Sequence, residues 1–359
     1  MDTKRRLELI TSVGEEIVTG EELAALIEEK EHPVAYDGFE PSGQIHIAQG
    51  LLRAITVNKL TQAGCRFTFF VADWHALANN KMGGDLEAIQ KVGEYFIEVW
   101  RACGMDLDKV RFVRASELVK DDSYWKTVMR IAMSNTVKRI VRCSQIMGRE
   151  ESDSLSAAQI LYPCMQAADI FHLGADICQL GLDQRKVNML AREIGPKLGF
   201  WKPVVVSHHM LMGLGAPPAG DSASAVERVI ELKMSKSKPE SAVFMTDSSD
   251  EVRRKIGKAY CPEKEVRENP VLEYAHYLVF ERFPSLEITR PERFGGTVVY
   301  HSYAELEESY RAGGLHPADL KKGVAEAIDS MLAPVRKHFS EDKKAAELQR
   351  FVLEQKVTR

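Results

Sequence analysis

The strongest constraint in this sequence is an alternation of period. Between residues 34 and 206, short apolar runs that suit buried strands take turns with longer stretches at helical spacing. Pro33–Phe39 is short and apolar and ends in the turn signal Glu40-Pro41-Ser42-Gly43. From His46 to Ala63 the residues Ile47, Leu51, Leu52, Ile55, Val57 and Leu60 fit a helix that Gly64 stops, and Arg66–Asp73 is again a continuous apolar strand. The pattern goes on to predict a helix over 85–103, a strand at Val110–Val113 and a basic helical stretch over 123–148. A helix over 155–168, a strand near 174–180, a helix over 184–197 and the strand Pro203–Val206 complete it. Five strands interleaved with helices imply an α/β fold on a parallel sheet, with ligands outside the carboxyl ends of the strands. After about residue 248 strand signals fade. Helical spacing over 249–259, 270–280, 303–312, 317–338 and 341–357 predicts a second, all-helical domain, and the first thirty residues read as one or two amphipathic helices.

Composition removes several classes. With 359 residues, 45% of them apolar, the chain has room for about two domains and is neither fibrous nor disordered. No apolar run reaches the 18 or so residues needed to span a bilayer, and the N-terminal residues carry acids instead of an apolar signal core, so a cytoplasmic protein without membrane contact is expected. Six dispersed cysteines, with no CxxC or short Cys/His pair, point to reduced core thiols and to no protein-bound metal. The net charge of −4 means that any nucleic-acid contact must come from a local patch. One patch stands out: Lys126, Arg130, Lys138, Arg139, Arg142 and Arg149 occur with no acid between Tyr124 and Arg149. By itself it reads first as a solvated helix face, the usual explanation of a charge run.

Two short segments bracket the strand-helix region. His46-Ile47-Ala48-Gln49 sits at the predicted start of the helix after the first strand, where unpaired backbone donors and an imidazole suit a phosphate; the plain alternative is a histidine that caps or faces water. Lys233-Met234-Ser235-Lys236-Ser237 offers lysines and hydroxyls on a loop able to close over a triphosphate, or merely a basic surface loop. In this order, before a helical domain, the two together resemble a class I aminoacyl-tRNA synthetase. A third set narrows the resemblance. Tyr36–Gly43, Tyr162–Asp169 and Gly181–Lys186 are similar to the tyrosine and adenylate segments of tyrosyl-tRNA synthetases of the archaeal and eukaryotic cytoplasmic type, and the match spans nearly the whole chain. Tyr162, Gln166 and Asp169, at offsets of four and three, share one helix face and can converge on a ligand.

The resemblance implies a Rossmann-like catalytic domain over residues 1–240, with a connecting insertion at about 115–155, and a helical anticodon-binding domain over 241–359. It implies activation of L-tyrosine by ATP, with Mg²⁺ accompanying the nucleotide, to tyrosyl-adenylate and pyrophosphate, then transfer to the 3′-terminal adenosine of tRNA(Tyr). Tyr36 and Asp169 would bind the substrate phenol, and Tyr162, Gln166 and Gln184 its ammonium. His75 would line the side-chain pocket. Gly38, Gln49, Gly181, Asp183, Lys233, Met234, Ser235, Lys236 and Ser237 would meet ATP, with Gly38 leaving room for the nucleotide and Asp183 accepting from the ribose. His46, Lys233 and Lys236 would stabilise charge at phosphoryl transfer. Arg142, Arg185 and Lys186 would meet the acceptor end of tRNA, and Phe294 and Asp319 the anticodon, although Asp319 is equally explained as an acid at a helix start. A homodimer through the 123–148 region is expected. Phenylalanine should be rejected because a buried Tyr36/Asp169 pair without a ligand hydroxyl is costly.

Ala48 and Gln49 depart from the usual histidine, apolar, glycine, histidine signature. Ala48 adds a methyl beside adenine, and Gln49 replaces an imidazole with a neutral amide that can still donate. The rivals are tryptophanyl-tRNA synthetase, against which Tyr36 with Asp169 argue, a catalytically silent RNA-binding relative, and a small-molecule adenylating ligase of the same superfamily, which would need neither the helical domain nor the basic segment.

Overall fold

Strands β1 (Glu16–Val18), β2 (Val34–Phe39), β3 (Arg66–Val71), β4 (Val110–Arg114), β5 (Ile177–Cys178) and β6 (Val204–Ser207) form one sheet in the order β1-β6-β5-β2-β3-β4. This is a computed structural model, and it describes residues 1–148, 154–220, 224–236 and 238–355. Strands β2 to β6 are parallel, as the alternation predicts, while β1 lies antiparallel on the edge against β6. The sequence reading placed only helices in the first thirty residues; the structure has Thr3–Thr11 and Gly20–Glu29 with β1 between them. Three residues are too few to display a period of two, and only pairing of Ile17 and Val18 with Val206 and Val205 reveals the strand.

The pleat sorts side chains onto two cores. Ala35, Phe67, Phe69, Val204 and Val206 face one apolar cluster, with Trp100 stacked on Phe69 at 4.3 Å, while Tyr36, Phe70, Cys178 and Val205 face the other. Each buried Val or Phe side chain among these contributes about 1.5–3 kcal/mol over leaving it in water. The first cluster runs on without a break into the C-terminal helices, through Val252, Tyr274, Leu320, Val335 and Leu348. All six cysteines are buried and free.

Four local differences from the sequence reading matter. The helix expected from His46 begins at Leu51, because Ile45–Ile47 is engaged by a returning segment: His46 bridges Phe244, Ile47 N donates to Val243 O (2.9 Å) and Met245 N to Ile45 O (2.9 Å). The basic stretch is two helices, Asp122–Met133 and Val137–Cys143, since Thr136 turns its hydroxyl onto Arg139 N and starts a new one. Arg149, the last base of that stretch, lies outside the described residues. The helix expected over 270–280 passes from Pro270–Tyr274 into a π-helical turn at Ala275–Val279. The C-terminal half, expected to be all helix, also holds an antiparallel hairpin, β7 (Leu286–Ile288) and β8 (Val298–Tyr300). Its longer helices are Ser249–Lys258, Tyr303–Ala312, Pro317–Glu341 and Lys343–Glu354. Among the described residues no helix is long and apolar enough to cross a membrane.

Candidate active site

From the central β2, the chain builds β3 and β4 on one side and β5 and β6 on the other, so the strand order reverses between β2 and β5. A cavity of about 270 Å³ opens at the carboxyl ends of those strands, where a sheet of this kind has no backbone partner to fill it. Four segments that follow β2, β3, β5 and β6 line it, together with the helix Ala157–His172 and residues Lys233 and Met234.

At the deep end Tyr36 is 1% exposed, and its hydroxyl makes no well-formed hydrogen bond, with the Gln166 side chain the group that comes within reach of it. Burial keeps this phenol protonated, well above its ordinary range. Beside it the Asp169 carboxylate takes a hydrogen bond from Tyr124 Oη (2.9 Å) through one oxygen and stands 2.9 Å from His75 Nε2 through the other. Burial pulls the His75 imidazole down, but the Asp169 charge outweighs it and lifts the ring above its ordinary value. A carboxylate bonded through one oxygen and paired with an imidazole through the other, beside a phenol with no well-formed bond, suits a ligand hydroxyl that donates to one group and accepts from the other.

The predicted helix face is real: Tyr162, Gln166 and Asp169 all line the cavity. The Ser156/Gln159 capping box starts their helix. Gln166 Nε2 donates to Gln184 Oε1 (3.1 Å), whose amide donates in turn to Ile146 O (3.0 Å), and Gln166 Oε1 is left without a partner. Tyr162 Oη donates to Glu40 Oε1 at 2.6 Å, and Glu40 also accepts from Asn79 Nδ2. Acceptors and an acid around one end of the cavity suit an ammonium group.

The shallow end is basic, with Lys81 and Lys233 in its lining and Lys236 just behind the lining residue Ser42. Lys233 Nζ meets Asp183 Oδ2 at 2.6 Å; Lys236 Nζ lies 3.4 Å from Ser42 Oγ and 4.7 Å from the centre of the Phe96 ring. Desolvation first, then the neighbouring Lys81, pulls the Lys236 ammonium down to about 7 against the opposing pull of Glu40. Burial, with Lys236 and Lys233 adding to it, holds the His46 imidazole well below its ordinary value, so it is a neutral ring with Nδ1 unpartnered. A Cβ on Gly38 would meet nothing nearer than Phe70 at 3.6 Å, so packing does not demand this glycine and its open side faces the cavity. On Gly181, by contrast, a Cβ would fall 2.6 Å from Met210 Sδ. Gln49 lines the cavity with Oε1 unpartnered, and its carbonyl accepts from Trp100 Nε1 (2.8 Å). Met234 and Ser235 lie on the same loop, and Ser237 is outside the described residues.

Several residues escaped the sequence reading. Tyr124 lies in the basic stretch with nothing local to mark its bond to Asp169. Glu40 stood in view only as a turn residue. Arg53 is buried, lines the floor and puts Nη2 2.8 Å from Asp37 Oδ2, while Nε and Nη1 have no partner. His208, 3.8 Å from the same Asp37 oxygen, completes this floor.

The residues expected to meet tRNA lie apart from the cavity. Arg142 is exposed on Val137–Cys143. Arg185 Nε pairs with Glu16 (2.8 Å), and exposed Lys186, two residues beyond Gln184, bonds Gln145. Phe294 is 57% exposed with the Arg293 guanidinium over its ring, and Asp319 stands in the first turn of Pro317–Glu341, where the helix dipole also explains an acid.

Residues 28–333 match the family described as class I tRNA synthetases for tryptophan and tyrosine. The chain is 51% identical to tyrosine–tRNA ligase 1, cytoplasmic, of Arabidopsis thaliana, over all of its own length and 90% of that protein. It is 49% identical to tyrosine–tRNA ligase 2, cytoplasmic, of the same plant, of which it spans 46%. It superposes on the tyrosyl-tRNA synthetase of Pyrococcus horikoshii complexed with L-tyrosine with a TM-score of 0.91 at 40% identity, covering 98% of this chain and all of that one. With the Leishmania major enzyme bound to tyrosinol the TM-score is 0.88 at 46% identity, over 98% of this chain and 60% of that one.

Proposed function

The chain belongs to the class I tRNA synthetases for tryptophan and tyrosine, and within them to the tyrosine–tRNA ligases, and from that premise we propose how its cavity divides the work. The reaction joins tyrosine to ATP as tyrosyl-adenylate, releasing pyrophosphate, and then passes the tyrosyl group to the 3′-terminal adenosine of tRNA(Tyr). Tyr36 and Asp169 bind the phenol hydroxyl, and His75 and Tyr124 hold the Asp169 carboxylate for it. Tyr162, Gln166 and Gln184 receive the ammonium, with Glu40 orienting Tyr162 and adding negative charge. The tyrosine carboxylate is thereby aimed past Gly38 at the α-phosphorus.

Asp183 accepts from the ribose, Gly181 and Gln49 flank the nucleotide, and Met234, Ser235 and Ser237 belong to the loop over its phosphates. Lys233 and Lys236 neutralise the departing pyrophosphate, and neutral His46 donates one hydrogen bond to the phosphates as charge builds. Because Lys233 and Asp183 now bond each other, ATP must take both from that pair. Mg²⁺ enters with ATP as part of the substrate. Residues 1–240 carry this chemistry, with about 115–155 as the connecting insertion. Arg142, Arg185 and Lys186 meet the acceptor end, and residues 241–359, with Phe294 and Asp319, meet the anticodon. Met129, Met133 and Val137, exposed at 52%, 82% and 68% on adjacent helices, form the apolar part of a homodimer surface. The cytoplasm is the proposed location, in keeping with the names of the Arabidopsis relatives.

The observation that carries this reading is the buried Tyr36 hydroxyl, with no well-formed protein bond, beside an Asp169 carboxylate that is bonded by Tyr124 and lies 2.9 Å from His75. Asp169→Ala should abolish tyrosine binding, measured by calorimetry, while ATP affinity survives. Unchanged tyrosine binding would remove the phenol assignment.

A further inference from the structure

After β6 the segment His208–Leu211 runs along the cavity wall and then pairs with the start of the lysine loop, where the chain leaves the helix Ala225–Leu232. Met212 forms an antiparallel bridge with Lys233; Gly213 N donates to Leu232 O (2.8 Å) and Met234 N to Leu211 O (2.7 Å). Lys233 therefore takes its position from Met212. Met212 is in turn gripped from the C-terminal half at both of its backbone polar groups. Its N–H donates to Glu273 Oε1 (2.7 Å), and its carbonyl accepts from Tyr274 Oη (2.8 Å), a side chain with no exposure.

The same Glu273 oxygen lies 2.8 Å from His209 Nε2, while His209 Nδ1 lies 3.1 Å from Glu15 Oε2. A ring between two carboxylates donates from both nitrogens and is an imidazolium; burial opposes this, but the two acids lift it to about 9. The His209 ring stacks at 4.0 Å and 6° on Tyr277. Tyr277 belongs to the π-helical turn that directly follows Tyr274, and such turns insert a residue where a helix must meet an extra demand.

We propose that Glu273, Tyr274 and His209 are positioning residues for the phosphate end of the reaction: through Met212 they set where Lys233 stands, so that the C-terminal half fixes the geometry of the lysine loop. This rests on the reading of Lys233 as a phosphate-binding group. None of the three is assigned contact with tyrosine, so the effect is confined to ATP and to the chemical step.

Tyr274→Phe keeps the packed ring and removes only the bond to Met212 O, and Glu273→Gln keeps an acceptor but discharges the clamp on His209. Single-turnover adenylate formation, normalised to active sites, should show each variant slowed or weakened toward ATP by about fivefold to tenfold, with tyrosine affinity unchanged. Tyr274→Phe alone carries the test should Glu273→Gln fail to fold. In a Lys233→Ala background, already slow, adding Tyr274→Phe should cost less than it does in the parent, because only the remainder of the loop is left to position. A loss that multiplies in that background, a matching loss of tyrosine affinity, or single variants as fast as the parent would each overturn the inference. Lys233→Ala with undiminished adenylate formation would instead overturn the phosphate assignment on which it rests.

Discussion

Asp37 and Arg53 bring opposite charges within 2.8 Å of each other beneath the cavity, both almost wholly out of water. Burial raises the Asp37 carboxyl from its ordinary 3.8 to about 6 even with Arg53 beside it. Because the folded value is the higher one, this group costs stability as pH rises from about 4 to about 6 and nothing more above that. Arg53→Met would leave the carboxylate alone and should destabilise the protein by about 3–5 kcal/mol at pH 8, measured in denaturant. At pH 5 the deficit should shrink, since Asp37 can then be buried as the neutral acid; an equal deficit at both values would mean that packing, not charge, dominates. Lys236 makes a second pH-dependent prediction. With its ammonium pulled down to about 7, it is largely neutral at pH 8 in the free protein, and ATP phosphates would recharge it. Calorimetry of ATP binding at pH 8 in buffers of different ionisation enthalpy should reveal proton uptake that Lys236→Arg abolishes.

Elements that repeat over many residues were legible in the sequence, and those fixed by a partner far away were not. The helix Ala157–His172 announced both its face and the three polar residues on it, because offsets of three and four need only local geometry. Ser156→Ala should weaken that helix by about 1 kcal/mol in thermal melts, while tyrosine affinity changes little, since Tyr162 lies more than a turn further in. The segment around His46 misled, because its fate is decided by pairing with 243–245, some two hundred residues on. Strands β1, β7 and β8 have three residues each and no visible period. The site shows the same division. Residues inside contiguous motifs were found, whereas Tyr124 and Arg53 act through partners 45 and 16 positions away and carry no local mark.

At the scale of the molecule, the reversal of strand order places the cavity, and one apolar cluster continuous from the sheet to the last helices ties the C-terminal half to it. That continuity is why a lysine loop at one end of the cavity is anchored by Glu273 and Tyr274 from the other half. Substrate choice, in contrast, is on the proposed reading settled at the deep end, where Asp169 and Tyr36 would bind a hydroxyl that neither an indole nor a plain phenyl ring supplies in the right place. The most direct test of the whole account is amino-acid-dependent ATP–pyrophosphate exchange with the purified protein, run separately with each of the twenty amino acids. Exchange with tyrosine, and none above background with phenylalanine or tryptophan, is the predicted result. Exchange with tryptophan, or no exchange with tyrosine, would contradict it.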